Sequence, residues 1–141
     1  MDIKNISDKY CLHDCIIDKI EIKKSSLILY SHEGVYKLND KTIEYEKIKN
    51  CKIIIEIKDL VEEECHEHIS IDIFKKNLKR NISFNKFCNL VAKNKYKIYL
   101  DFYSPFARGL LFKGCSKKCE VELLITEVID FQINFLYLKE E

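Results

Sequence analysis

Cys51-Lys52-Ile53-Ile54-Ile55-Glu56-Ile57 and, a short way downstream, Ile69-Ser70-Ile71-Asp72-Ile73 decide the fold class. In the first, Cys51, Ile53, Ile55 and Ile57 share one parity against Lys52, Glu56 and Lys58, with Ile54 the exception. In the second, Ile69, Ile71 and Ile73 oppose His68, Ser70 and Asp72. Side chains of a strand alternate between its faces, and β-branched residues at period two suit a pleated, half-buried surface. Both segments therefore read as strands with one apolar face. The acidic connection from Asp59 to Cys65 predicts that they pair with each other, antiparallel.

The same reading extends toward the N-terminus. Ile16, Ile20 and Ile22 alternate with Lys19, Glu21 and Lys23, and Asp18 breaks the parity, so residues 15 to 23 read as a strand that bends or has an exposed end. Leu27-Ile28-Leu29-Tyr30 is apolar on both parities, as in a strand covered on both faces. Glu33-Gly34 signals a turn, after which Val35 to Leu38 is expected to pair back. Asn39-Asp40 turns the chain again into a weaker strand, Ile43 to Ile48.

Toward the C-terminus the period changes once. Ser83 is a candidate N-cap, and Phe84, Phe87, Cys88 and Val91 fall at i, i+3, i+4 and i+7, which predicts a helix over residues 83 to 94. Asn94 is expected to end it in the left-handed conformation. Strands then resume. Tyr96, Ile98, Leu100 and Phe102 alternate with Lys97, Tyr99, Asp101 and Tyr103, up to Ser104-Pro105. Phe106 to Phe112 follows and is expected to close at Lys113-Gly114. Cys119 to Val128 continues the pattern. Ile129, Phe131, Ile133, Phe135 and Tyr137 then alternate against Asp130, Gln132 and Asn134. Up to ten short strands at regular spacing predict a mainly β (α+β) fold. The expected architecture is an antiparallel sheet curled into a barrel or sandwich, with one covering helix near residues 83 to 94.

The 141 residues fit a single domain, 1 to 141, and 47% apolar with 33% charged residues is a globular composition. A net charge of +1 supplies no global field for nucleic acid or an anionic membrane. Arg80 and Arg108 are the only arginines, which argues further against nucleic-acid recognition. No apolar run reaches the length of a membrane span, and Met1-Asp2-Ile3-Lys4-Asn5 lacks the apolar core of a signal peptide. These features set the expectation of a cytoplasmic protein whose seven cysteines are reduced.

Three clusters carry chemically active side chains. In an extended Cys11-Leu12-His13-Asp14-Cys15, the side chains of Cys11, His13 and Cys15 would share one face and could grip zinc. The simpler reading is a strand start with two half-buried thiols and a solvent-facing His13-Asp14 pair. In Glu64-Cys65-His66-Glu67-His68, residues Cys65, His66 and His68 form a second candidate ligand group, but the helical H-E-x-x-H pattern is absent. If the two groups met in space, Cys11, His13, Cys15, Cys65, His66 and His68 would exceed the ligands one zinc needs. Cys115-Ser116-Lys117-Lys118-Cys119 is the third cluster, a hairpin tip able to form a zinc knuckle or a disulfide, with a plain tip carrying two incidental thiols the simpler reading. None of the three is accompanied by an oxyanion-hole pattern or an orienting third group, so no catalytic residue is assigned. Lys75-Lys76-Asn77-Leu78-Lys79-Arg80 is the densest basic run and reads as a solvated connection.

Leu12-His13-Asp14-Cys15-Ile16-Ile17-Asp18-Lys19-Ile20, followed by Leu27-Ile28-Leu29, resembles the start of small bacterial β-rich proteins in which a His-Asp pair precedes the first strand of a hairpin. Some of these look like immunity proteins of toxin systems, which bind and block a cognate toxin. The resemblance covers about 20 residues, carries over His13 and Asp14, and implies protein binding without catalysis. The expected function is thus a non-enzymatic protein-interaction module with a protein partner, no nucleic acid, no membrane and no cofactor. Zinc binding through the Cys/His groups is the alternative, and a small enzyme the second. Partner identity, strand order and oligomeric state lie beyond the sequence pattern.

Overall fold

A computed structural model of the chain describes residues 10–39, 41–117 and 119–135. In chain order the first strands are β1 (Tyr10–Cys11), β2 (Cys15–Ile17), β3 (Lys19–Lys23), β4 (Ser26–Ser31), β5 (Val35–Asn39) and β6 (Glu44–Ile48). β7 (Cys51–Ile57) leads through a 3-10 segment, Glu62–Glu67, into β8 (Ile69–Lys75), β9 (Leu78–Ile82) and the helix α1 (Phe84–Asn94). β10 (Tyr96–Ser104), β11 (Gly109–Ser116), β12 (Cys119–Ile125) and β13 (Val128–Phe135) follow.

The strands form three antiparallel sheets. The six-stranded sheet runs β2-β10-β11-β12-β8-β9, the four-stranded sheet β13-β7-β4-β3, and the three-stranded sheet β1-β5-β6. The two larger sheets enclose one core in a sandwich-like arrangement, and no sheet closes into a barrel among the described residues.

Alternation puts each strand's apolar face into that core. In the six-stranded sheet Ile71, Leu123 and Phe112 stand in one cross-strand row, and Ile69, Ile125 and Leu110 in the next. Opposite them, Phe131, Ile55 and Leu27 form a row of the four-stranded sheet, followed by Ile133, Ile53 and Leu29. All twelve are buried. Such rows bring large side chains into direct contact, and fully burying each Leu, Ile or Phe is worth roughly 1.5–3 kcal/mol.

The helix is where the sequence predicts it. Ser83 Oγ accepts from the Lys86 N–H at 3.2 Å and caps the first turn. Phe87 and Val91 are buried, and the Phe87 ring meets Tyr96 edge-on with centroids 5.5 Å apart. α1 packs against β3 from one sheet and β8 and β11 from the other, bridging the two.

Within that fold class several expectations change. β7 and β8 do not pair with each other: β7 lies between β13 and β4, and β8 between β12 and β9. The isoleucine faces of both enter the same core from different sheets, because alternation specifies a face and not a neighbour. β5 does not return to β4 but pairs with β1 and β6. Gly34, at φ 95°, therefore makes a corner between sheets; a Cβ there would lie 1.9 Å from the Ile48 carbonyl oxygen. Lys113-Gly114 is not a turn, since β11 runs on to Ser116. The run from Cys119 to Val128 breaks at Glu127, φ 56°, where the chain passes from the six-stranded to the four-stranded sheet. Lys95, not Asn94, takes the positive φ after the helix.

Two bulges shift the phase of predicted strands. One, between Val128 and Asp130, leaves Ile129 exposed while Val128, Phe131 and Ile133 are buried. Tyr137 and the side chain of Phe135 lie outside the described residues. The other, between Ile98 and Leu100, reverses the faces of the rest of β10.

Candidate interaction surface

Residues 10 to 23 visit all three sheets in turn: β1 in the three-stranded, β2 in the six-stranded and β3 in the four-stranded sheet. Cys11-Leu12-His13-Asp14-Cys15 is the first corner of that path. The Cys15 N–H donates to the Leu12 carbonyl at 2.9 Å, closing a turn, and Asp14 takes a φ of 68°, which aspartate tolerates better than most residues. Its N–H donates to the Ile98 carbonyl at 2.7 Å. Its carboxylate lies 3.5 Å from Lys97 Nζ and 3.1 Å from His13 Nδ1. Asp14 therefore anchors the corner to β10, while His13 stays exposed. The second corner is Asp18, whose carboxylate accepts from the His32 N–H at 2.9 Å.

Because the segment is a turn, Cys11, His13 and Cys15 do not line one face as an extended strand would place them. Cys11 is half-buried at the end of β1, whereas Cys15 is in the core. Burial pushes the Cys15 thiol up to about 12, and that of the neighbouring Cys51 up to about 11. A thiol held protonated is a poor nucleophile. Between these elements, buried Ser31 donates through Oγ to the Ile16 carbonyl at 2.7 Å and accepts from the Gly34 N–H at 2.9 Å. That hydroxyl joins β2 to β4 and fixes the corner into β5.

The other cysteines are similarly dispersed. In the 3-10 segment Cys65 is buried and His66 exposed; His68 is half-buried, with its Nδ1 enclosed and without a hydrogen-bond partner among the described residues. β2 and β8 are separated by three strands in the six-stranded sheet, and the two predicted ligand sets form no combined metal-binding group among the described residues. Ser116 opposes Cys119 across the hairpin, so Cys115 projects from the other face, and both thiols are free. No three His, Cys, Asp or Glu side chains among the described residues converge as a metal centre requires.

The exposed side chains do converge elsewhere. The bulge at Tyr99 flips the alternation of β10, so Leu100 and Phe102 point outward while Asp101 and Tyr103 turn toward the core. Phe102 then stands beside Leu111, which stands beside Leu124, on the outer face of the six-stranded sheet. Phe102 is 61% exposed, Leu100 46% and Leu124 43%. Phe106, in the turn after β10, is fully exposed.

Satisfied polar pairs flank that row on the same face. Lys113 pairs with Glu122 at 3.7 Å, Lys79 with Asp72 at 3.7 Å, and Tyr99 donates to Glu120 at 2.9 Å. An apolar centre beside a rim of satisfied polar groups is the anatomy of a protein-docking patch. Sequence alternation placed Leu100 and Phe102 inward with Tyr96 and Ile98. The available signal was that residues 99 to 103 are apolar or aromatic on both parities except for Asp101, so the phase was underdetermined.

The bulge sits beside a close backbone approach at Gly114. A Cβ on Gly114 would lie 2.1 Å from the Lys97 carbonyl oxygen and 2.7 Å from the Tyr96 ring. Tyr96 lies in that gap, fully buried, and its hydroxyl donates to the Val121 carbonyl at 3.1 Å. Burial and neighbouring acidic groups raise its pKa, so the phenol keeps its proton.

No family model, curated protein or solved structure matches the chain.

Proposed function

We propose that the chain is a non-enzymatic protein-interaction module that docks a partner protein on the outer face of its six-stranded sheet, in the manner of an immunity protein. The observation that carries this reading is the outer-face apolar row Phe102–Leu111–Leu124, in which half-buried Leu111 lies between two exposed side chains, with exposed Leu100 on the same face and exposed Phe106 in the turn after β10. Exposed apolar side chains contribute nothing to the core, and large contiguous ones mark interfaces. The buried, protonated thiols of Cys15 and Cys51 agree with a scaffold role. His13 and Asp14 belong to the corner that ties β2 to β10, so their contribution to binding is to hold the sheet that presents the patch.

Native isolation from the producing cells tests the reading. The tagged chain should elute with a stoichiometric partner protein, and Phe102→Asp should release it while leaving thermal unfolding unchanged. A chain that elutes alone and turns over a substrate would sink the proposal. Retention of the partner by Phe102→Asp would move the interface to another face.

A further inference from the structure

The basic run that the sequence presents as a solvated connection forms one wall of a groove. Across residues 73–95, which include β9 and α1, there are seven Lys and Arg and no Asp or Glu. On a chain of net charge +1 this is a strong local concentration, and the remainder is acidic on balance. Between β9 and α1 lies a groove of about 350 Å³ with Ile73, Ile82 and Leu90 along its floor. Arg80 stands on one wall, Lys86 and Lys93 on the other. An adjoining hollow of about 240 Å³ shares Ile73, Leu90 and Asn94 and adds Lys75 and Lys117 to the rim. No carboxylate lines either part. None of these five cations forms an ion pair among the described residues, whereas Lys79 on the outer face is paired with Asp72.

We infer that this groove is a second docking site, for a partner segment that carries carboxylates together with apolar side chains. The charge fixes the sign of the ligand, and the floor fixes its second requirement. Carboxylates opposite Arg80, Lys86 and Lys93 would find unpaired donors, and leucine-like side chains would cover Ile73, Ile82 and Leu90. A nucleic acid suits the site less well: single strands bind over aromatic stacking platforms, and no aromatic side chain lines either hollow. Asn89 and Asn94 on the helix can bond to the backbone of a bound segment. The site uses residues separate from the Phe102–Leu111–Leu124 row, so either surface can fail without the other.

The test measures fluorescence anisotropy with a short labelled peptide of interspersed glutamates and leucines. Controls are the same peptide with alanine for leucine, an oligothymidylate and vesicles of anionic phospholipid. The chain should bind the Glu/Leu peptide at least tenfold tighter than the Glu/Ala peptide, with affinity falling as salt is raised. The double variant Lys86→Glu with Lys93→Glu should weaken binding at least tenfold, about 1.4 kcal/mol. Both lysines are exposed, so its circular dichroism and Tm should stay those of the parent. Phe102→Asp should bind the peptide as the parent does, which separates this site from the outer face. No binding of the Glu/Leu peptide, equal binding of the Glu/Ala peptide, tighter binding of oligothymidylate or vesicles, or indifference to the double variant would each overturn the assignment.

Discussion

Two glycines on one strand make a sharp test of the architecture. Gly109 and Gly114 both lie in β11, and alanine at each changes composition identically. At Gly114 the new Cβ would meet the Lys97 carbonyl oxygen at 2.1 Å, the Lys97 carbonyl carbon at 2.9 Å and the Tyr96 ring at 2.7 Å. Relieving the contact with Lys97 needs a backbone shift of about 1 Å, because the obstruction is not a side chain that can rotate away. That shift strains one or two ladder hydrogen bonds at the Ile98–Gly114 pairing, roughly 0.5–1.5 kcal/mol each. It also displaces Tyr96 from its bond to Val121, and overpacking of this kind costs roughly 1–3 kcal/mol by itself. The expected total for Gly114→Ala is about 3–5 kcal/mol, a fall in Tm of roughly 10 °C or more. At Gly109 the nearest atom to the new Cβ is the Ile125 carbonyl oxygen at 3.7 Å, an ordinary contact. Gly109→Ala should therefore be neutral, or stabilising by up to about 1 kcal/mol through the unfolded chain. Urea unfolding of both variants decides the matter. A Gly114→Ala protein within about 1 kcal/mol of the parent would refute the packing of Tyr96 between β10 and β11.

Other consequences follow from single residues. Ser31→Ala removes a buried hydroxyl that joins β2, β4 and the Gly34 corner, and should destabilise by about 2–3 kcal/mol in denaturant unfolding. Asp101, turned inward by the bulge, has its pKa raised above 3.8 chiefly by burial, partly offset by a backbone hydrogen bond. As pH rises above 3.8 the unfolded chain loses this proton first, so the group's contribution to stability declines through the window up to its folded value. Asp101→Asn should accordingly gain stability over the parent at neutral pH and lose that gain near pH 3; an advantage independent of pH would contradict the assignment. Thiol labelling at pH 8 should modify exposed Cys115 and half-buried Cys11 first, with Cys15 and Cys51 reacting only on unfolding. Rapid labelling of Cys15 in the folded protein would mean that the corner opens.

The parts of this fold that were legible are those decided by face. Ile53, Ile55 and Ile57 had to be buried together, as did Ile69 and Ile71, and Leu27-Ile28-Leu29 had to be covered on both sides; all of these are buried. The Ser83 cap and the Phe87/Val91 stripe were equally local, and the helix stands within a residue of its predicted start. Neighbour choice was not legible. β7 and β8 satisfy the same burial whether paired or facing each other across a core, and only long-range packing separates the two outcomes. Asp18 and Gly34 announced breaks, yet a break does not reveal whether the chain turns back or changes sheet. The candidate surface was not legible for a related reason. One extra residue at Tyr99 reverses the faces of everything after it in β10, and Leu100, Phe102, Asp101 and Tyr103 read plausibly in either phase. The Cys11–Cys15 group looked convergent only on the assumption of extended backbone, which the positive φ of Asp14 removes.

The central claim is that the apolar outer face of the six-stranded sheet meets a protein partner, and crosslinking from that face tests it most directly. A photoreactive benzophenone side chain replaces Phe106, fully exposed in the turn after β10, or Glu63, exposed in the 3-10 segment. Irradiation in the producing cells should give one discrete adduct from position 106 and none from position 63. The adduct should vanish when Phe102→Asp is added. A silent position 106, or equal adducts from both positions, would contradict the account.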